Sequence, residues 1–167
     1  LNFFGISTSK FNQNIEKKIK ENYPGINLKL NNVKILLNIS KISIDIETDY
    51  PLILSGKAKI KLEKVSTTYD LKSFLKGEFV IKNLYIDSKK NQIKEIIKLI
   101  RSYKDSGQLL IVDKIIKSGN TEISIKLNFD ENGKLLEDRY EIVADISDLS
   151  IEIFNKEKIE IKSGNFK

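Results

Sequence analysis

Asp45, Glu47 and Asp49 stand at i, i+2 and i+4 of one stretch and are the first candidates for chemistry. Carboxylates so placed could hold a hard cation such as calcium, which takes oxygen ligands at about 2.3–2.6 Å. Along a strand, however, alternate side chains are about 7 Å apart. The three read as a solvated face unless a loop curves them together. Asp130-Glu131-Asn132-Gly133 opens like a calcium loop, but it reads as a hairpin turn because Asn-Gly readily takes positive φ. Ser7-Thr8-Ser9-Lys10 and Ser73-Phe74-Leu75-Lys76 have the S-x-x-K spacing of acyl-enzymes, but no Ser-Asp-Asn or Lys-Thr-Gly partner exists. In a chain this rich in Lys such spacings arise by chance. The eight Gly never form G-x-G, which excludes a dinucleotide fingerprint and a phosphate loop. His and Cys are both absent. That removes the usual general base, the usual transition-metal ligands, thiol nucleophiles and disulfides. No enzyme activity, no cofactor and no metal site are expected.

The elements that must do something else come from 167 residues, a length for one domain spanning 1–167. Hydrophobic residues are 40% and charged residues 31%, too apolar for a disordered tail and too charged for a membrane bundle. There is no run of 18 apolar residues. Charge is uneven: positions 1–90 carry 16 Lys against 9 acids, whereas positions 91–167 are nearly balanced. The basic half suits either a solvated lysine surface or the neighbourhood of anionic headgroups. Nucleic acid is not expected, because Arg is confined to Arg101 and Arg139 and no aromatic platform alternates with a basic stripe. With no Met anywhere in the chain, it is expected to be a piece of a longer protein.

Phe11, Ile15 and Ile19 recur on one helical stripe after Ser7-Thr8-Ser9, and Pro24-Gly25 ends that helix. An apolar lead, Leu1, Phe3, Phe4 and Ile6, precedes it. From Ile26 the period becomes two. Leu28 and Leu30 alternate with polar residues, and the parity then flips to Val33, Ile35 and Leu37, as a bulge or a turn at Asn31-Asn32 would produce. Ile42, Ile44 and Ile46 follow, then Ala58, Ile60 and Leu62. Asp70 caps a short helical turn ended by Gly77, and residues 79–86 read as a strand. A second helix runs from about Lys89 to Tyr103, capped by Asp87 or Ser88, with Ile93, Ile96, Ile97 and Ile100 on one face. Residues 109–116 read as an apolar strand. Ile123, Ile125, Leu127 and Phe129 then alternate, answered across the Asn132-Gly133 turn by Tyr140, Ile142, Ala144 and Ile146. Ile151 and Ile153, then Ile159 and Ile161, complete the pattern.

Strands with one apolar and one charged face must hide the apolar one. A second sheet would do so, and so would acyl chains held in a curved sheet. An aliphatic face suits a packed core and a lipid groove alike. The fold class expected is therefore β-rich α+β, with a curved, mainly antiparallel sheet, an N-terminal amphipathic helix and one further helix.

The order of these elements resembles the N-terminal region of the AsmA-like family of bacterial envelope proteins, which are similar to eukaryotic chorein-type bridge proteins. The resemblance rests on Ser9-Lys10-Phe11-Asn12 with Ile15, on Pro24-Gly25-Ile26, and on Thr48-Asp49-Tyr50-Pro51. It continues through Ala58-Lys59-Ile60-Lys61-Leu62, Tyr69 to Leu75 and Phe79 to Ile86. The chain departs from the family in having no Gly-rich helix-to-strand turn beyond Gly25 and in inserting the helix near Lys89–Tyr103. The resemblance implies a groove lined by Leu28, Leu30, Val33, Ile35, Leu37, Ile42, Ile44, Ile46, Ala58, Ile60 and Leu62. In the second half Ile123, Ile125, Leu127, Phe129, Ile142, Ala144, Ile146, Ile151 and Ile153 would continue the lining. Phe11, Ile15 and Ile19 would plug the membrane-proximal end, and Lys10, Lys17, Lys18 and Lys20 would face headgroups. The implied partners are phospholipid acyl chains and a membrane surface. The implied place is the periplasm, with an inner-membrane anchor upstream of Leu1, and the implied role is passage of phospholipid between inner and outer membranes. The competing expectations are a structural or adhesive envelope β-domain with a closed core, and a soluble lipid carrier.

Overall fold

The computed structural model describes residues 3–9, 12–76, 80–153 and 157–167. For Phe3, Phe4, Asn14, Lys18, Asn22 and Phe74 it describes the backbone only. The first half contains β1 (Phe3–Thr8), α1 (Asn12–Asn22), β2 (Asn27–Lys29), β3 (Val33–Asn38), β4 (Ser43–Asp49), β5 (Leu52–Ser55), β6 (Ala58–Asp70) and α2 (Leu71–Leu75). The second contains β7 (Ile81–Ser88), β8 (Asn91–Gln92), α3 (Ile93–Tyr103), α4 (Gly107–Ile115), β9 (Ile116–Asn128), β10 (Glu141–Glu152) and β11 (Lys158–Phe166).

The described strands form one open, antiparallel sheet whose main path is β1-β3-β4-β6-β7-β9-β10-β11. The apolar lead is its edge strand: Phe3 to Thr8 pairs with Asn38 to Val33. The parity flip near Asn31 is a break rather than a bulge. β2 pairs with β5, while β3 pairs with β1 and β4. The Asn31 amide fixes the crossing by donating to the carbonyls of Asp49 and Tyr50. A true bulge lies at residue 63, where Leu62 opposes Ser88 and Lys64 opposes Asp87. That one extra residue returns Ala58, Ile60 and Leu62 to the face occupied by Val65.

Four helices are present among the described residues: the two expected helices, the expected short turn after Asp70 as α2, and α4, which was not expected. In α2, the Asp70 carboxylate accepts the Ser73 backbone N–H at 3.0 Å, as the cap expectation required. Its expected terminator Gly77 lies outside the described residues, as does Phe79. The expected helix from Lys89 begins later, at Ile93, after the short strand β8 pairs Asn91 and Gln92 with Thr121 and Asn120. Its N-cap is Gln92, without a side-chain cap bond, and neither Asp87 nor Ser88 serves. The expected strand at 109–116 is mostly helix α4, a correction with a local cause. Ser106 Oγ accepts the Leu109 N–H at 3.3 Å, and Arg101 on α3 pairs with Asp113 at 2.7 Å. An apolar run of this length carries no period that separates a strand from a buried helix.

The Asp130–Gly133 turn forms as expected: the Asp130 N–H donates to the Lys134 carbonyl, and Gly133 takes φ of 77°. The returning strand starts only at Glu141, so Tyr140 is an exposed loop residue. Among the described residues the buried aliphatic side chains are Val33, Ile44, Ala58, Ile60, Leu62, Ile97 and Leu149. α3 packs against β6, β8, β9 and α4, whereas α1 packs on β2 and α2 on β4 and β6.

Candidate functional site: the apolar face of the sheet

Register turns the alternating residues into rows that cross the sheet. One row runs Ile6, Ile35, Ile46, Thr67, Leu84 and Leu127 from β1 to β9. The next runs Thr8, Val33, Thr48, Val65, Ile86, Ile125 and Ile142 from β1 to β10. A third contains Leu37, Ile44, Tyr69 and Ile81. Ile123, Ala144 and Phe166 continue the face toward the β11 edge. Val65, Ile81, Leu84 and Ile86 belong to these rows and were missed in the sequence. Val65 follows the bulge at residue 63, and in β7 a register irregularity between Ile81 and Asn83 puts Ile81 in the rows beside Leu84 and Ile86 despite its opposite parity.

The face is closed at one end. There α3 sits over Ala58, Ile60 and Leu62, which are 2%, 5% and 5% exposed, and Ile97 of the helix is equally buried. Ser55 and Ser102 hydroxyls meet at 2.7 Å, and Glu95 accepts the Lys59 N–H at 3.0 Å, which fixes the helix on β5 and β6. Gly119 makes the close approach possible, since a Cβ there would stand 2.8 Å from Ile93 Cδ1.

Elsewhere Ile35, Leu37, Ile46, Leu84, Ile86, Ile123, Ile125 and Leu127 are half-buried, while Ile142 is exposed. Among the described residues no helix lies extensively against β3, β7, β10 or β11.

Several expected groove residues are placed differently. Ile42 sits in the β3–β4 turn at φ of 50° and is exposed, because a tight reversal there takes it out of the strand. Leu30 follows β2, where its N–H donates to Glu16. Phe129 makes an isolated bridge with Leu135 beyond β9, and Ile153 lies past the end of β10 and is exposed. Leu28 pairs with Ile53, and Ile146 and Ile151 lie in β10. Ile15 and Ile19 are half-buried on α1, and Phe11 lies outside the described residues. Of the basic set, Lys17 pairs with Glu21 at 3.8 Å and Lys20 is exposed. Lys10 and the Lys18 side chain lie outside the described residues.

Compared with known proteins, the chain matches no family model, no curated sequence and no solved structure. Function has to be argued from the two faces themselves.

Within the rows the ionisable side chain is Tyr69, whose phenol burial pushes up from its ordinary value, with a Thr67 hydrogen bond acting the other way. The rows hold no nucleophile beside a base, so dispersion and hydrophobic contact are what they offer a ligand.

The opposite face is polar. Asp45, Glu47 and Asp49 do not converge: Asp45 accepts from Thr68 Oγ1 at 2.7 Å, Glu47 pairs with Lys64 at 2.9 Å, and Asp49 pairs with Lys34. Asp49 also raises the Lys34 pKa, through their hydrogen bond first and charge second. Lys82, hydrogen-bonded to Asp70 at 2.7 Å, lowers that carboxyl to about 2, with the Ser73 N–H helping. Three of the four described cavities are lined mainly by polar side chains, the fourth by Tyr23, Pro24, Gly25, Ile26, Ser102 and Tyr103, and of the expected groove residues only Ile146 and Phe129 line any of the four.

Proposed function

We propose that the apolar face takes up phospholipid acyl chains, and that the chain is a lipid-binding segment of an AsmA-like envelope protein. The observation that supports this reading is the row geometry: mostly aliphatic side chains, with Thr48, Thr67 and Tyr69 among them, continue from β3 to β10 without a charged interruption, and apart from the buried Val33, Ile44 and Thr48 they are half-buried or exposed rather than sealed. Each CH₂ group moved from water onto such a surface contributes roughly 0.8 kcal/mol when fully buried. A uniform lining holds acyl chains while leaving them free to slide, so transport along it is passive. Headgroups stay in water at the sheet edges. In this reading the sheet stands in the periplasm, its basic N-terminal part lies near the inner membrane, and phospholipid passes between inner and outer membranes.

A second reading, a structural β-domain with a closed core, is favoured by the packing of Ala58, Ile60, Leu62 and Ile97. Native mass spectrometry of protein purified from cells separates the two. Co-purifying phospholipid is expected. Protein that is lipid-free and also excludes fluorescent acyl probes would overturn the lipid reading and leave the structural one.

A further inference from the structure

The polar face holds a cavity of about 420 Å³ over β4, β6 and β7. Its size falls within the range of small-molecule pockets, roughly 300–1,000 Å³. Two of its lining residues carry polar atoms without a partner. Ser43 is 2% exposed, yet its Oγ makes no hydrogen bond, and the buried Asn83 Oδ1 makes none. Buried polar atoms are normally satisfied, so two orphans on one cavity mark places where a ligand's hydrogen bonds fit.

The remaining lining sets the ligand class. Lys41 and Lys82 are balanced by Asp45 and Glu47, so the cavity carries no net charge to favour a free anion or cation. Hydroxyls of Ser43 and Ser66 can both donate and accept, whereas Thr68 Oγ1 already donates to Asp45 and keeps only its acceptor role. Tyr85, 37% exposed, adds an aromatic surface. A neutral ring with several hydroxyl groups matches all three features: it donates to carboxylates and Asn83 Oδ1, accepts from Lys and Ser, and lays its C–H face on an aromatic ring.

We propose that this cavity binds a neutral saccharide unit, on the side of the sheet opposite the apolar rows. The site is independent of lipid uptake.

The test is titration of the ¹⁵N-labelled protein with cellobiose, N,N′-diacetylchitobiose and, separately, sodium phosphate. At least one disaccharide is expected to shift amides at 43–47, 66–68 and 83–85. Ser43→Ala should weaken that binding about fivefold, the loss of one neutral hydrogen bond. It should also raise the melting temperature of the free protein, because it removes a buried hydroxyl without a partner. Asn83→Ala is the second variant and should weaken binding similarly. Shifts with phosphate alone, shifts with none of the three, or unchanged affinity in both variants would overturn the proposal.

Discussion

The two ends of one sheet face differ in what covers them. Near Ala58, Ile60 and Leu62 a helix is seated against the strands, and side chains on both elements are buried. Across β3, β7 and β10 the same kind of aliphatic row continues with its side chains half-buried or exposed, Val33 at the end of β3 excepted. Alternation in the sequence is identical in the two regions. Period two says which face is apolar, and only the path of the intervening chain says whether that face is sealed.

The comparison breaks most visibly if a charge is placed in each region. Leu62→Asp would bury an unpaired carboxylate beneath α3. The expected cost is several kcal/mol, enough to unfold a domain whose total stability is about 5–15 kcal/mol. Ile125→Asp, half-buried on the other region, leaves the carboxylate reachable by water, and the fold should persist with lower lipid occupancy. Urea unfolding followed by circular dichroism gives the contrast. Equal unfolding by both changes would mean that the second region is sealed as well. Ile44 belongs with the first group despite its place in the rows, being 8% exposed.

A smaller effect is expected at Gly119, which sharpens the account of the cover. A Cβ there would stand 2.8 Å from Ile93 Cδ1 and 3.3 Å from the Leu149 backbone, at φ of 150°. Gly119→Ala should destabilise by about 1–3 kcal/mol through overpacking. Gly56→Ala has open space around it and pays only for its φ of 55°, about 1–2 kcal/mol. A Gly119 variant as stable as wild type would show that α3 yields easily, and thermal unfolding of the two variants decides it.

The smallest effect is a pH dependence on the polar side of the uncovered region. Lys82 and the Ser73 N–H lower the Asp70 carboxyl from its ordinary 3.8 to about 2. A depressed carboxyl contributes stability above its unfolded value, and that contribution is lost as pH falls from about 3.8 through about 2. Asp70→Asn should flatten the acid limb of the stability curve in that window. An unchanged limb in urea titrations would remove the Lys82–Asp70 pair from the account.

Much of the fold was legible because its period is strong. The parities of Val33 to Leu37, Ile44 to Ile46 and Ile123 to Leu127 all agree with the observed registers. Legibility failed where parity is carried by something other than alternation. Residue 63 is an extra residue in β6 that no local pattern announces. In β7 apolar residues occur at both parities, Ile81 on one and Leu84 and Ile86 on the other, and only the irregularity beside Ile81 brings the three to one face. Residues 109–116 read as strand because the run is mostly apolar, while the Ser106 cap and the Arg101–Asp113 pair go with a helix. Ile42 was lost from the rows because a four-residue reversal consumes it. The polar cavity was not legible at all, since Ser43, Thr68 and Asn83 come from three strands that only the register brings together.

Site-specific photo-cross-linking in cells tests the central claim most directly. A photoreactive residue at Ile46 or Leu127 would sit on the uncovered rows, one at Ser66 or Ser124 on the polar face, and one at Ile60 beneath α3. The account predicts phospholipid cross-linked at Ile46 and Leu127 and none at the other three. Labelling at all five positions alike, or at none, would contradict it.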